Sequence, residues 1–234
     1  MNILVVSSCT SKKAVNSKYK LLKEDFLDSV VLEKREKELS KKSLPAIEMY
    51  KGMQHIQLVK GLSSLRAKYG NCIVDLKIIS AGYGLIDEAK KIVPYEVTFN
   101  SMKSKEIDEW SSFLNIKRNL EIVIKDYDLI IFLLGDRYLR SLQLPLSNIS
   151  KKKRLIFLAS KSSSKKIPNE KPYYFLEVGQ DDASSFGYGL VGLKGYLFNL
   201  LAKEIEKQGK IVFEDIYQNP NLLLDILYKY RKDK

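Results

Sequence analysis

Histidine and cysteine are scarce in this chain. Its 234 residues include one histidine, His55, and two cysteines, Cys9 and Cys72. Without a Cys-x-x-Cys pair, two cysteines do not build a disulfide framework, and too few ligands remain for a structural zinc site. A single histidine also argues against a histidine-dependent nucleophilic triad. We therefore expect no metal site.

Long apolar runs are also missing. No stretch reaches the roughly 18 residues expected of a membrane-spanning helix, and no signal sequence is recognisable at Met1. We therefore expect a cytoplasmic protein without a membrane partner. Hydrophobic residues nevertheless make up 45% of the chain, enough to bury a sizeable core and to argue against global disorder.

Acidic residues are outnumbered by basic ones. The chain has 40 Lys and Arg against 28 Asp and Glu, a formal net charge of +12. Such an excess favours a polyanionic partner, most simply nucleic acid, although a lysine-rich surface would give the same balance. Three residues of one basic cluster, just before a predicted strand, are candidates for phosphate contacts: Lys152, Lys153 and Arg154.

Several apolar runs predict strands covered on both faces. They lie at residues 2–7, 73–81, 127–134, 155–159 and 173–178. Runs of this kind, alternating with helical patterns, are typical of a mostly parallel sheet in an α/β fold. Helices are predicted from Leu44 to Lys68, with a break near Gly52 or Gly61, from Ser104 as a cap, and at the glycine-rich segment before Leu193. We expect one domain over residues 1–234, with a charged, partly helical excursion at 16–43.

Polar and aromatic residues follow the predicted strands. The carboxyl ends of parallel strands meet at one edge of a sheet, where α/β folds place their ligands. The candidates there are Cys9, Lys12, Lys13, Ser80, Tyr83, Tyr95, Glu96, Asn100, Asp136 and Arg137. Each also has a simpler interpretation: Cys9 as a packed thiol, Tyr83 as a buried turn residue, and Asp136 as a helix cap.

A glycine-rich segment resembles a dinucleotide fingerprint. Residues 187–192 read Gly-Tyr-Gly-Leu-Val-Gly, and Glu214 follows about twenty residues later. Only about twenty residues remain after Glu214, however, and the predicted sheet begins far upstream. We interpret the segment as a helix start that accepts a substrate phosphate at Gly187 and Gly189, and we expect no cofactor.

Three motifs resemble a known group of proteins. They are Cys9-x-x-x-Lys13 at a strand end, the turn Ser80-Ala81-Gly82-Tyr83-Gly84-Leu85, and Pro94-Tyr95-Glu96. The group comprises the uracil-DNA-glycosylase-like domains related to archaeosine synthase and to DNA-base-modification proteins, with the peroxide-stress DNA-binding family. The similarity spans roughly residues 3–140. It implies a three-layer α/β/α sandwich and work on a nucleobase, and some relatives are phage-defence glycosylases. Gly82 and the missing loop histidine depart from the group's pattern.

The resemblance and the charge lead to one functional expectation. We predict a DNA glycosylase for a modified base that flips its target, with Glu96 as the first candidate carboxylate and Asp136 as the second. Tyr83 or Tyr95 would stack on the base, while Ser80, Cys9 or Asn100 would bond its edge or the leaving group. Lys12 and Lys13 would hold phosphates. A non-catalytic DNA-binding protein and a DNA or tRNA base transglycosylase are the alternatives.

Overall fold

The computed structural model describes residues 1–232, and its strands account for most of the apolar runs. The strands are β1 (Ile3–Ser8), β2 (Leu44–Pro45), β3 (Asp75–Ser80), β4 (Gly84–Asp87), β5 (Lys91–Ile92), β6 (Leu129–Leu133), β7 (Arg154–Ala159) and β8 (Tyr173–Glu177). Strands β1 and β6 are buried along almost their whole length, because helices cover both faces of the sheet.

Six of these strands form the central sheet. Their order is β4-β3-β1-β6-β7-β8, and only β4 runs antiparallel, as an edge strand paired with β3. In the register of the centre, Val5 lies between Leu76 and Ile131. The chain leaves β1 toward β3 and later returns to its other side as β6. The sheet therefore has a topological switch point at the carboxyl ends of β1 and β6, where α/β folds open a crevice.

Helices flank the sheet and complete the sandwich. They are α1 (Ser29–Glu38), α2 (Ala46–Met49), α3 (Met53–Tyr69), α4 (Ser104–Phe113), α5 (Ile116–Val123), α6 (Asp136–Arg140), α7 (Gln180–Ser185), α8 (Leu193–Gln208), α9 (Ile211–Gln218) and α10 (Leu222–Tyr228). Helix α8 packs against α3, α9 and α10, whereas α4 packs against α5 and α6. The predicted three-layer α/β/α architecture with a mostly parallel sheet is confirmed.

Two glycines bring α3 and α8 together. A Cβ on Gly195 would lie 1.9 Å from the carbonyl oxygen of Gln54, and one on Gly61 would lie 3.0 Å from the Cα of Asn199. Gln54 precedes Gly61 in α3, and their respective partners Gly195 and Asn199 follow the same order in α8. The two helices therefore run parallel. Their amino ends consequently reach the same edge of the sheet, beside the switch point.

The structure differs locally from the sequence-based expectations. The predicted helix 44–68 is broken at Gly52, one of the two expected positions, and it begins with β2 instead of helix. Ser104 is the first helical residue of α4 and Lys103 occupies the cap position. Strand β4 was not predicted. Glu214 lies within α9, whereas a dinucleotide fingerprint would place its acidic residue at the end of a strand.

Residues 1–232 contain no helix that is both long and apolar enough to cross a membrane.

Candidate active site at the carboxyl edge of the sheet

A cavity of about 360 Å³ opens at the switch point. We call it the switch pocket. Its walls come from the ends of β1, β6 and β7, the first turns of α3, α6 and α8, and the loop after β5. The lining residues used below are Cys9, Gln54, Thr98, Asn100, Asp136, Tyr138, Leu190, Val191 and Lys194. The volume is in the range of small-ligand sites, and the placement is the one expected for a ligand of an α/β fold.

The two parallel helices are tied to the end of β6. The Gln54 amide donates to the Leu133 carbonyl oxygen over 2.8 Å and to the Ser7 hydroxyl over 3.3 Å. The Lys194 ammonium donates to the Leu134 carbonyl oxygen. Within residues 1–232, no side chain caps the first turn of α3 or α8. The Leu193 N–H of α8 bonds to the Leu190 carbonyl oxygen. The amino ends of the two helix dipoles still favour negative charge at this edge of the sheet.

Lys194 is a largely buried cation in the pocket. Burial disfavours its charged form and lowers the pKa of the ammonium to about 8, and the nearby Asp136 carboxylate only partly opposes this effect. A perturbed titratable group in a concave site is a candidate functional residue. Lys194 therefore loses its proton more readily than an exposed lysine, although the ammonium is still its major form at neutral pH.

Asp136 supplies a carboxylate to the same pocket. It begins α6, and its Oδ1 accepts hydrogen bonds from the Ser163 hydroxyl over 2.8 Å and from the Lys166 ammonium over 2.6 Å. Partial burial alone would raise the pKa of Asp136. The hydrogen bonds from Lys166 and Ser163 outweigh it, so the pKa lies below its usual value and the carboxylate is ionised at neutral pH.

A thiol and two hydroxyls form another wall. The Cys9 sulfur lies 3.1 Å from the Tyr138 phenol oxygen, which in turn lies 3.5 Å from the Thr98 hydroxyl. Cys9 is only 6% exposed, and burial raises the pKa of the Tyr138 phenol well above its usual value. The wall therefore offers uncharged hydrogen-bonding groups to a ligand.

The residues Ser80 and Tyr95 lie behind the pocket in a buried hydroxyl network. Ser80 donates to the Tyr95 phenol oxygen over 2.8 Å and accepts from the Tyr83 backbone N–H over 3.0 Å. The phenols of Tyr95 and Tyr50 lie 2.9 Å apart, and burial raises the pKa of both. This network fixes the turn after β3 and lines no part of the switch pocket.

Tyr83 packs inside an aromatic cluster. Its ring meets those of Phe26 and Tyr95 edge to face at centroid distances of 5.2 and 5.5 Å. A Cβ on Gly82 would lie 2.7 Å from the Phe26 ring, so Gly82 is small to admit Phe26. Only Gly84 of the two turn glycines has a positive φ, at 72°. In this structure the Tyr83 ring packs against other aromatic rings and does not offer an open face to a base.

A second, basic cleft adjoins the switch pocket. This lysine cleft, of about 420 Å³, is lined among others by Lys12, Lys13, Lys20 and Glu96, and it shares Ser11 and Thr98 with the switch pocket. The Lys13 ammonium lies 4.2 Å from the Tyr95 ring centroid, and burial lowers its pKa. The face of Tyr95 is thus covered by Lys13 and is closed to a stacking base.

Glu96 lies on the surface of the lysine cleft. Its carboxylate pairs with Lys20, and its side chain is 64% exposed. The hydrogen bond from Lys20 lowers the pKa of Glu96. The structure therefore separates the two predicted carboxylates: Asp136 lines the switch pocket, whereas Glu96 does not.

The other predicted site residues at this edge of the sheet lie at the mouth of the switch pocket or in the loops beside it. Asn100 is exposed at the mouth of the switch pocket. Arg137 donates to the Met102 carbonyl oxygen and so holds the neighbouring loop. Gly187, with a φ of 60°, and Gly189 belong to the loop whose exposed Leu190 and Val191 reach the pocket.

The basic cluster lies at the other edge of the sheet. Arg154 is the first residue of β7, so Lys152, Lys153 and Arg154 lie at the amino ends of the parallel strands. The Arg154 guanidinium donates to the Tyr217 carbonyl oxygen over 2.8 Å, and the Lys153 ammonium donates to the Tyr127 carbonyl oxygen over 2.5 Å. These side chains hold the amino edge together, and the cluster cannot contact a ligand in the switch pocket.

Several lining residues were absent from the predicted site, and three of them carry polar groups into the pocket from helices. Gln54 and Lys194 sit in the first turns of long helices, and Tyr138 lies in α6. The sequence feature that could have pointed to Lys194 is its position in a predicted helix whose neighbouring residues are mostly apolar. A lysine there is ordinarily assigned to the solvent face, and only the packing of α8 on α3 turns it inward.

Comparison with known proteins gives a family and no function. No curated protein matches the chain. One family model matches residues 29–167, more than half of the chain. The matched segment includes Gln54, Asp136 and Tyr138, whereas β1 with Cys9 and α8 with Lys194 lie outside it. The chain belongs to this family, described as a family of unknown function, DUF6884.

Proposed function

We propose that the protein is a DNA glycosylase that releases a modified base bound in the switch pocket. The observation that carries the proposal is the ionised Asp136 in a ligand-sized cavity at the switch point. Cleavage of an N-glycosidic bond passes through an oxocarbenium-like state, which a nearby carboxylate stabilises while it orients a water molecule. The motif resemblance described above supports the same reaction class.

The pocket walls suit an extruded base. Asn100, Thr98 and Cys9 provide donors and acceptors for a base edge, and Leu190 with Val191 adds an apolar surface. Enzymes that act on a base in DNA take it out of the helix stack and read it by such edge contacts. Stacking by Tyr83 or Tyr95 is not part of the proposal, because both rings are packed against other side chains.

The lysine cleft gives the DNA strand a path. Lys12, Lys13 and Lys20 line a groove that continues from the switch pocket, so phosphates beside an extruded nucleotide would meet cations there. Contacts of this kind position the backbone without reading its sequence. The proposal places the protein in the cytoplasm, where it would meet such DNA.

The first prediction separates the two carboxylates. Asp136→Asn removes the charge from the pocket and should lower the rate of base release by about 100-fold or more, a typical loss for a group that acts on the transition state. Glu96→Gln removes the same charge from the lysine cleft and should change the rate by less than about 10-fold. Both rates come from mass spectrometry of bases released from unmodified, uracil-containing and phage-modified DNAs, with abasic sites counted in parallel.

The result also tests the two alternatives. Salt-sensitive DNA binding with no base released from any DNA of the panel would favour a non-catalytic binding protein, for which the lysine cleft alone would suffice. Release that requires an added free base would instead indicate a transglycosylase. Equal losses in the Asp136 and Glu96 variants would contradict the assignment of the switch pocket as the active site.

A further inference from the structure

Lys194 has no role in the hydrolysis proposed above, yet its setting is unusual. Among the residues of 1–232 that line the switch pocket, it is the only lysine or arginine. Its ammonium donates to a backbone carbonyl oxygen, at Leu134, and no carboxylate among the described residues lies within ion-pair distance. Without an ion pair to hold its proton, the amine can lose that proton at modest cost, in agreement with its lowered pKa.

The surrounding structure fixes the position of this amine. Lys194 lies in the first turn of α8, and the next residue, Gly195, packs against the Gln54 carbonyl of α3. Asp136, the carboxylate assigned to base release, lines the same cavity. A buried lysine in such a site is the usual source of a neutral amine nucleophile. A sugar bound for attack at C1′ by water would therefore lie in the same cavity as Lys194.

We propose that Lys194 forms an imine with C1′ of the abasic deoxyribose left by base release and thereby cleaves the DNA strand. This inference rests on the proposed glycosylase function and extends it to a second reaction in the same pocket. Lys12 and Lys13 are the competing amines, but both lie in the lysine cleft, and Lys13 is occupied with the Tyr95 ring.

The reaction balances without an oxidant or a reductant. The Lys194 amine adds to the C1′ aldehyde of the ring-opened sugar, a proton moves from nitrogen to the former carbonyl oxygen, and water leaves to give the imine. Asp136 then accepts a proton from C2′, a C2′=C3′ double bond forms, and the C3′–O bond breaks with its electron pair on the phosphate oxygen. Hydrolysis of the imine by water restores the Lys194 amine and releases the unsaturated aldehyde.

The test uses DNA with a preformed abasic site, so that it needs no base release. The full-length protein is mixed with this DNA and with sodium borohydride, which reduces an imine to a stable secondary amine. We expect a covalent protein–DNA complex and, without borohydride, incision on the 3′ side of the abasic site. Peptide mass spectrometry of the wild-type complex should place the adduct on Lys194.

Three variants accompany the wild-type protein. Lys194→Met keeps the apolar stem and Lys194→Arg keeps the charge, and both should lose at least about 90% of the trapped complex and of the incision. Lys203→Met removes an exposed lysine from the same helix and should behave as wild type. Circular dichroism checks the fold, and the wild-type adduct map decides the question even if a Lys194 variant does not fold.

The outcomes separate this inference from the function on which it rests. An adduct on any other lysine, or no adduct on bound abasic DNA, would overturn the role of Lys194. Base release from the DNA panel without trapping would overturn the imine while leaving the glycosylase in place. Trapping at Lys194 with no base released from any DNA would support the imine and count against the glycosylase.

Discussion

At the scale of single residues, buried hydroxyls explain the conspicuous turn after β3. Ser80 accepts from backbone N–H groups of the turn and donates to Tyr95, so one side chain satisfies several polar groups that have no access to water. The resemblance to base-modifying proteins was built partly on these residues. The hydrogen bonds of Ser80 and Tyr95 give these motif residues a structural role that needs no ligand. Without these bonds, the turn would lose its shape.

The second prediction follows from this network. Tyr95→Phe removes the phenol oxygen that accepts from Ser80 and contacts Tyr50, leaving two buried hydroxyls short of a partner. We expect a loss of about 1–3 kcal/mol in the free energy of unfolding. Tyr83→Phe removes a hydroxyl that accepts weakly from the Val93 N–H over 3.4 Å and lies near the Glu36 carboxylate at the edge of the cluster, and it should cost less. Urea denaturation measures both, and a larger loss for Tyr83→Phe would contradict the network.

The two carboxylates show what a sequence can and cannot give at this scale. Asp136 comes directly after a predicted strand and Glu96 lies in the Pro94-Tyr95-Glu96 motif of the loop after another, so both could be named from the sequence. Which of the two is the better catalytic candidate could not be predicted. That choice depends on the path of the loop after β5 and on the partners Lys20, Ser163 and Lys166. These partners are distant in sequence from the acids they contact. Lys194 was missed for the same reason, since its burial is decided by packing.

At the scale of elements, strand runs were predictable and helix contacts were not. The five parallel strands correspond to the apolar runs of the sequence, because a strand covered on both faces favours apolar residues on both of its sides. Strand β4 was missed because its four residues, Gly84–Asp87, mix glycine, apolar and charged side chains at an edge. The parallel packing of α3 on α8 rests on Gly61 and Gly195, whose role becomes visible only once the partner helix is known.

The third prediction concerns this packing. Gly195→Ala would place a Cβ 1.9 Å from the Gln54 carbonyl oxygen, so α8 must move away from α3. We expect a destabilisation of roughly 1–3 kcal/mol or more, the range for overpacked cores. The shift would also displace Lys194 and reduce borohydride trapping. Gly189→Ala is the matched control, because a Cβ there meets nothing within 4 Å.

Thermal and urea unfolding of both glycine variants measure the loss of stability and so test the contact between α3 and α8. A Gly195→Ala protein as stable as the wild type would mean that the two helices are farther apart than described. Equal losses in both variants would indicate a general cost of removing glycine from this region and no specific helix contact.

At the scale of the whole molecule, two clusters of positive charge lie at opposite edges of the sheet. The lysine cleft adjoins the switch pocket at the carboxyl edge, whereas the cluster at residues 151–154 lies at the amino edge. The net charge of +12 therefore describes no single binding surface. Composition alone favours a polyanionic partner, but only the topology of the sheet shows which lysines can meet a nucleic acid that enters the switch pocket.

The last prediction compares two exposed lysines that lie at opposite edges of the sheet. Lys12→Gln at the lysine cleft should weaken binding to abasic DNA and reduce the slope of log K against log salt by about 0.9, the value for one lost phosphate contact on duplex DNA. Lys152→Gln at the amino edge removes the same charge and should leave the slope within about 0.2 of wild type. Fluorescence anisotropy between low and moderate salt gives both slopes. Equal changes would mean that DNA is held by the overall charge of the protein, in which case the lysine cleft would lose its role as the path of the strand.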